Sequence, residues 1–139
     1  MNLFVITAYR LDQLYAEKRS IVERLARKYK MQAYYAMFQV PLLHGGFNLL
    51  ETQRLIESAD FIIADLTYER PSCYYELGFA QGLRKPVDLI AFESSHAEYI
   101  PPPEVLNIDT LRTYRSLAMY ATTIEELLRI RYDTATLAE

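Results

Sequence analysis

Apolar and polar positions in this chain fall into blocks whose period switches between two and 3.6, the pattern of strands and helices taken in turn. Leu3-Phe4-Val5-Ile6 is a short apolar run and reads as a buried strand. From Leu11 to Tyr29 the apolar residues are Leu11, Leu14, Tyr15, Ile21, Val22, Leu25 and Tyr29, an amphipathic helix with Glu17, Lys18, Arg19, Glu23, Arg24, Arg27 and Lys28 on its wet face. Residues 33–40 form a second apolar run, a strand that ends at Pro41, and a turn at Gly45-Gly46 follows. Asn48 stands three residues before Glu51 as a helix start, with Leu49, Leu50, Ile56 and Ala59 at helical spacing. Phe61-Ile62-Ile63-Ala64 is apolar on both faces, as a doubly covered parallel strand requires, and ends at Asp65. A turn-rich stretch from Thr67 to Pro71 leads to Ser72, the expected N-cap of a helix from Cys73 to about Leu83. Arg84-Lys85-Pro86 closes that helix, and Val87–Phe92 is the next strand. Residues 93–106, with Pro101-Pro102-Pro103, read as a long loop, and residues 111–120 hold a short last strand. Thr123 is expected to cap a final helix with Glu125 and Glu126 in its first turn and Arg129 and Arg131 near its end.

This alternation predicts an α/β protein: one domain over residues 1–139, with a three-layer flavodoxin- or Rossmann-like architecture and a mostly parallel central sheet of about five strands. The length fits a single domain, with enough core to dispense with staples. Cys73 is the only cysteine, so no disulfide framework can form, and two distant histidines, His44 and His96, do not suggest a zinc site. A net charge of −3 argues against a general nucleic-acid coat. No apolar run approaches the roughly 20 residues of a membrane span, and a reducing, cytoplasmic location is the expectation. Twelve tyrosines and no tryptophan suit pocket walls and subunit interfaces, with Tyr114, Tyr120 and Tyr132 as interface candidates.

In open α/β sheets, ligands bind beyond the carboxyl ends of the strands. Three segments qualify: Thr7–Arg10, Asp65–Ser72 and 93–106. The second is the most informative, because it sets Asp65 at a strand tip and aims a helix N-terminus at the same crevice. Glu76 follows on that helix, among Tyr74, Tyr75, Leu77, Phe79 and Ala80 rather than on an obviously wet stripe. An ionised carboxylate there, with no local Lys or Arg partner, suits a nucleophile or electrostatic stabiliser opposite a cationic sugar C1. The plain alternative is a glutamate that complements its helix dipole on a solvated face. Arg70, Ser72 and Arg10 form a candidate anion site for a 5′-phosphate. Gly45-Gly46 lacks the Gly-Lys-Ser/Thr ending of a phosphate loop. His96 is a candidate acid for a departing base. Cys73, near a helix start, could carry a lowered pKa but reads as a packed small residue.

The run SADFIIADLTYERPSCYYELGFAQGLRKPV, from Ser58 to Val87, resembles the signature of the nucleoside 2-deoxyribosyltransferase-like superfamily of deoxyribosyltransferases, nucleotide N-glycosidases and TIR-like nucleotide-binding proteins. The matching elements are Ala59-Asp60, the strand Phe61–Ala64, Asp65-Leu66-Thr67, Pro71, Tyr75-Glu76-Leu77-Gly78, Ala80 and Gly82 through Pro86. The resemblance implies that Glu76 is the nucleophile that attacks C1′, that the base departs, and that a second base or water resolves a covalent glycosyl-enzyme. It implies that Thr7, Tyr9 and Arg10 lie against base and sugar, that Phe4 takes a place often held by a tyrosine, and that Asp65 orients a sugar hydroxyl or the nucleophile. Gly78 is expected to permit close helix packing. The family usually carries an Asp eight residues before Asp60, where this chain has Thr52 flanked by Glu51 and Gln53, and Glu51 is the neighbour that could take its part. The Glu69-Arg70-Pro71-Ser72 loop is closer to the TIR-like pattern. Two functions therefore stay open: cleavage or exchange of an N-glycosidic bond, or a TIR-like nucleotide sensor, with NAD hydrolysis by the same Glu as a variant. Either implies a nucleoside or nucleotide partner, no metal or cofactor, and assembly into a homo-oligomer.

Overall fold

A computed structural model of the chain describes residues 1–36, 49–68, 70–93 and 111–138. Among the described residues there are five strands: β1 (Asn2–Ile6), β2 (Gln32–Tyr35), β3 (Phe61–Asp65), β4 (Val87–Phe92) and β5 (Arg112–Tyr114). Four helices accompany them: α1 (Tyr15–Lys28), α2 (Leu49–Ser58), α3 (Pro71–Gly82) and α4 (Leu117–Leu137). The strands form one sheet in the order β2-β1-β3-β4-β5, with every pairing parallel. The α/β three-layer fold expected from the alternation of elements is the fold found.

Residue parity on the strands divides the core into two layers, because successive side chains leave a strand on opposite faces. Leu3, Val5, Phe61, Ile63 and Ile90 meet Val22 and Leu25 of α1 and Ile124, Leu127 and Leu128 of α4. Phe4, Ile6, Ile62, Ala64 and Leu89 meet Ile56 of α2 and Cys73, Leu77 and Ala80 of α3. Right-handed crossovers explain the division. The chain moves one way across the sheet from β1 to β2 and the other way from β2 through β3 to β4, so α1 and the α2–α3 pair fall on opposite faces. The order reverses at β1, between β2 and β3, and in open α/β sheets such a switch point, beyond the carboxyl ends of the strands, is where ligands bind. In register, Ile6 pairs with Ala64 and Ala64 with Leu89, so Thr7 and Asp65 leave the sheet side by side.

Several element ends differ from the sequence-based expectation. Helix α3 begins at Pro71, with Arg70 as its N-cap in an extended conformation (φ −76°, ψ 143°), and Ser72 makes no capping bond. Proline's fixed φ suits the first helical position, and it holds the residue before it out of the helix. Helix α4 begins well before Thr123, because Ser116 is the N-cap and its hydroxyl accepts from the Met119 amide at 3.1 Å. Tyr120 therefore lies on the inner face of α4, and with Tyr114 it is only 2% exposed. Both tyrosines are spent on the core and not on a subunit interface. Tyr132 is half-buried, with its ring 5.8 Å from that of Tyr29. Leu49 and Leu50 point outward, and Thr52 and Ile56 form the buried side of α2. Gly78 is exposed, and a Cβ built there meets nothing within 4 Å among the described residues, so close packing does not explain it. Lys85 ties the far end of α3 to α2, its ammonium donating to the carbonyls of Glu57 (2.6 Å) and Ala59 (2.9 Å). Among the described residues, no helix is long and apolar enough to cross a membrane. Residues 37–40, His44, Gly45-Gly46, Asn48, Glu69, His96 and Pro101–Pro103 lie outside the described residues.

Candidate active site

Glu76 sits in the second turn of α3, on the stripe that also carries Cys73, Leu77 and Ala80. That stripe faces the sheet beside Phe4, Ile6, Ala8 and Leu66. Glu76 is 4% exposed and has no hydrogen bond or ion pair among the described residues. Burial alone pushes its carboxyl up to about 8, because the charged form loses water and gains no partner. The inward orientation expected for Glu76 is thus what the helix provides. One turn earlier, the Cys73 thiol is pushed up to about 12, by burial first and by Glu76 second, which marks it as a packed residue and not a reactive one.

Asp65 lies on the other face of the sheet. Its position continues the odd series Phe61 and Ile63, toward α1 and α4. Its carboxylate is occupied: Oδ2 accepts from the Tyr114 hydroxyl at 2.7 Å, and Oδ1 accepts from the Thr67 amide at 3.1 Å and from the Thr67 hydroxyl. The Lys18 ammonium stands 3.8 Å from Oδ2. Burial raises the Asp65 pKa, and Lys18 and the Thr67 and Tyr114 hydrogen bonds oppose that rise. Lys18 itself donates to Asp12 Oδ2 at 2.5 Å and to the Tyr114 hydroxyl at 2.7 Å. A cavity of about 300 Å³ adjoins this cluster, with Asp12, Lys18, Thr67, Tyr68, Phe92 and Tyr114 in its wall.

The other expected residues are distributed along the carboxyl edge. Thr7 follows β1 and is half-buried; Tyr9 and Arg10 are exposed on the same loop. The Tyr9 amide donates to the Thr7 carbonyl at 3.1 Å, and the Tyr9 ring stands edge-on to Tyr15 with centroids 4.6 Å apart. Arg70 and Ser72 are half-buried at the start of α3. Glu51 stands apart from them. It pairs with Arg54 at 3.7 Å and lines a cavity of about 400 Å³ beside the outer strand β2, with Arg19, Tyr34 and Leu55 among the other wall residues. The inward position of that helix turn belongs to Thr52, which is fully buried. Among the described residues, no three His, Cys, Asp or Glu side chains converge as a metal site.

Lys18, Asp12 and Tyr114 were not among the expected site residues. Lys18 reads as part of a charged face, yet it lies three residues after Tyr15 and four before Val22, on the stripe that α1 buries. A lysine on that stripe is the signal of a buried charge in need of a partner.

No family model matches the chain, and no curated protein matches it by sequence. Solved structures do match. The CMP N-glycosidase of Clostridium botulinum superposes with a TM-score of 0.63 at 12% identity, over 90% of this chain and 98% of that one. The 2-deoxyribosyltransferase of Bacillus psychrosaccharolyticus superposes with a TM-score of 0.56 at 17% identity, over 85% of this chain and 88% of that one. The chain shares their fold. The three-layer architecture implied by the resemblance of residues 58–87 is therefore found over nearly the whole chain, well beyond the segment that carries the motif.

Proposed function

We propose that the protein breaks the N-glycosidic bond of a nucleoside or nucleotide, and exchanges the base when an acceptor base is present, with Glu76 as the nucleophile. The observation that carries this reading is the position of Glu76: a carboxyl buried on an apolar helix stripe that packs on β1, the strand at which the order reverses, with no partner among the described residues. Leaving a carboxyl so placed is costly, and a structural role would call for a partner. Two enzymes that share the fold, named for cleaving CMP and for transferring 2-deoxyribose, add support.

In this mechanism a Glu76 oxygen attacks C1′ as the bond to the base breaks. The bonding electron pair leaves with the base nitrogen, which takes up a proton. Positive charge grows on C1′ and the ring oxygen, directly opposite the carboxylate. A glycosyl ester of Glu76 remains. Water then attacks C1′, loses a proton and gives the free sugar; a second base does the same through its nitrogen and gives the exchanged nucleoside. Either step returns the electron pair of the ester bond to Glu76. A carboxyl held near 8 is mostly neutral in the free protein, and an opposing cation favours its charged form, so the transition state gains stabilisation that the resting state lacks. Tyr9 supplies a face for the base. Arg70, Ser72 and Arg10 receive a 5′-phosphate at the start of α3. Thr7 lies beside the sugar at the end of β1. Glu51, off the inner face of α2, has no part in this scheme, and Asp65 acts from behind the sheet.

The deciding experiment incubates the protein with CMP, with deoxycytidine plus adenine, and with NAD, and resolves free and exchanged bases by chromatography. Base release or exchange that falls to background in Glu76→Ala and Glu76→Gln supports the proposal. Release that survives either substitution refutes it. Nucleotide binding without base release in any mixture also refutes it and leaves a nucleotide-binding sensor.

A further inference from the structure

The proposed reaction leaves a buried ionic cluster unexplained, on the face of the sheet opposite Glu76. Lys18, 6% exposed, is its centre, with the Asp12 carboxylate at 2.5 Å, the Tyr114 hydroxyl at 2.7 Å and the Asp65 carboxylate at 3.8 Å. We propose that Lys18, Asp12, Asp65 and Tyr114 are positioning residues that fix the two substrate-bearing loops, 7–10 and 66–72, relative to one another. The inference rests on the nucleotide-cleaving reading for what those loops hold.

Each carboxylate closes one loop. On the β1 side, the Ala8 carbonyl accepts from the Leu11 and Asp12 amides, both at 3.2 Å, and Asp12 Oδ1 accepts from the Leu14 amide at 2.9 Å. Tyr9 and Arg10 are carried inside that turn. On the β3 side, Asp65 Oδ1 takes the Thr67 amide and hydroxyl, and Thr67 Oγ1 accepts from the Phe92 amide at 3.0 Å. These bonds set the direction in which the chain leaves β3 toward Arg70 and α3. Lys18 and Tyr114 join the two halves: the ammonium binds Asp12 directly and reaches Asp65 through the tyrosine hydroxyl.

Stability alone does not account for such a cluster, since an apolar set of similar volume is often as stable as a buried ion pair. Packing does not replace it either. Asp12, Lys18, Thr67 and Tyr114 border the cavity of about 300 Å³, and on that side directional bonds hold them with no side chain packed behind. Groups that hold a substrate bind it well only when they are fixed relative to one another beforehand, so a tie of this kind has functional weight.

The test uses Tyr114→Phe, which removes one hydroxyl, and the paired Asp12→Asn/Lys18→Met, which removes one charge of each sign. Ile124→Val in the same core serves as a control for lost stability away from the cluster. Steady-state kinetics with CMP and calorimetric CMP binding in the Glu76→Gln background are measured for each. In Tyr114→Phe, the expected result is a KM and a Kd for CMP raised roughly tenfold, with kcat within roughly threefold of the parent. The paired variant should be affected at least as much, the pH midpoint of activity should stay in place, and Ile124→Val should match the parent in KM. An unchanged KM and Kd in Tyr114→Phe overturns the proposal, as does an equal change in Ile124→Val or a fall in kcat at constant KM. If the paired variant does not fold, the single hydroxyl deletion decides. The two readings fail separately: persistent base release in Glu76→Gln sinks the catalytic role alone, and equal CMP affinity with and without the Tyr114 hydroxyl sinks the positioning role alone. A protein that neither binds CMP, deoxycytidine or NAD nor releases a base from any of them overturns both.

Discussion

Replacing Glu76 by Gln should make the protein more resistant to unfolding at neutral and alkaline pH while removing its activity. The carboxyl is held near 8 in the folded chain against an ordinary value of 4.5. Below 4.5 the folded and unfolded states both carry the proton, and the group contributes nothing to the pH dependence. Between 4.5 and about 8 the unfolded chain releases the proton and the folded chain keeps it. Stability then falls as pH rises, by about 1.4 kcal/mol for each pH unit. Above about 8 both states are ionised and the loss is complete, at about 5 kcal/mol over the whole interval and about 3 kcal/mol at pH 7. That is a large share of the roughly 5–15 kcal/mol that separates folded from unfolded domains. Glutamine keeps the shape and does not titrate. The assay is urea unfolding of both proteins at several pH values from 4 to 9, read as the difference between them at each pH. Any constant cost of burying the amide cancels from the slope of that difference. The difference should widen in favour of Glu76→Gln from about pH 4.5 and level off near pH 8. Parallel stability curves across the range would refute the account, since they would mean that Glu76 is ionised and satisfied in the resting fold.

The wild-type kcat/KM for base release should climb with pH and reach a plateau above about 8, roughly a hundredfold higher than at pH 6, because only the ionised carboxylate attacks; a flat profile from pH 6 to 9 would exclude Glu76 as the titrating nucleophile. Gly78→Ala should raise the unfolding midpoint by the equivalent of roughly 0.5–1 kcal/mol, since the new Cβ enters open space in a helix interior and removes the conformational cost of glycine. Tyr35→Phe should stabilise the fold by about 1 kcal/mol, because the buried Tyr35 hydroxyl has no hydrogen-bond partner among the described residues and phenylalanine fills the same space between Arg19 and Tyr15.

What the sequence disclosed depended on how strongly one residue type constrains its surroundings. Phe61–Ala64 announced a central strand because only a strand covered on both faces tolerates unbroken apolar sequence, and the structure buries all of Phe61–Asp65. Of the neighbours that suggest an inward Glu76, Leu77 and Ala80 share its buried stripe, whereas Tyr75 is exposed. The start of α3 was misplaced because serine is the commoner cap, yet the proline before it outranks it sterically. Thr123 offers a similar cap signal, but Ser116 caps α4 and turns Tyr120 into the core. Asp65 showed itself as a strand-tip carboxylate, but the face it points to depends on the parity of β3 within a sheet whose helices are assigned to sides by the crossover order. Lys18 was hidden by composition: a charge among charges looks solvated until its phase on the helix is weighed. Tyr114 was hidden by distance, since it meets Lys18 and Asp65 only once β5 has joined the far edge of the sheet.

The edge-on pairing of Tyr9, on the loop after β1, with Tyr15 has a practical consequence in a chain with twelve tyrosines and no tryptophan. Ultraviolet emission from the unlabelled protein comes from phenol rings alone, with no indole to mask them. A nucleobase laid against the exposed ring would dim that glow, so ligand arrival can be followed optically, without a dye and without turnover.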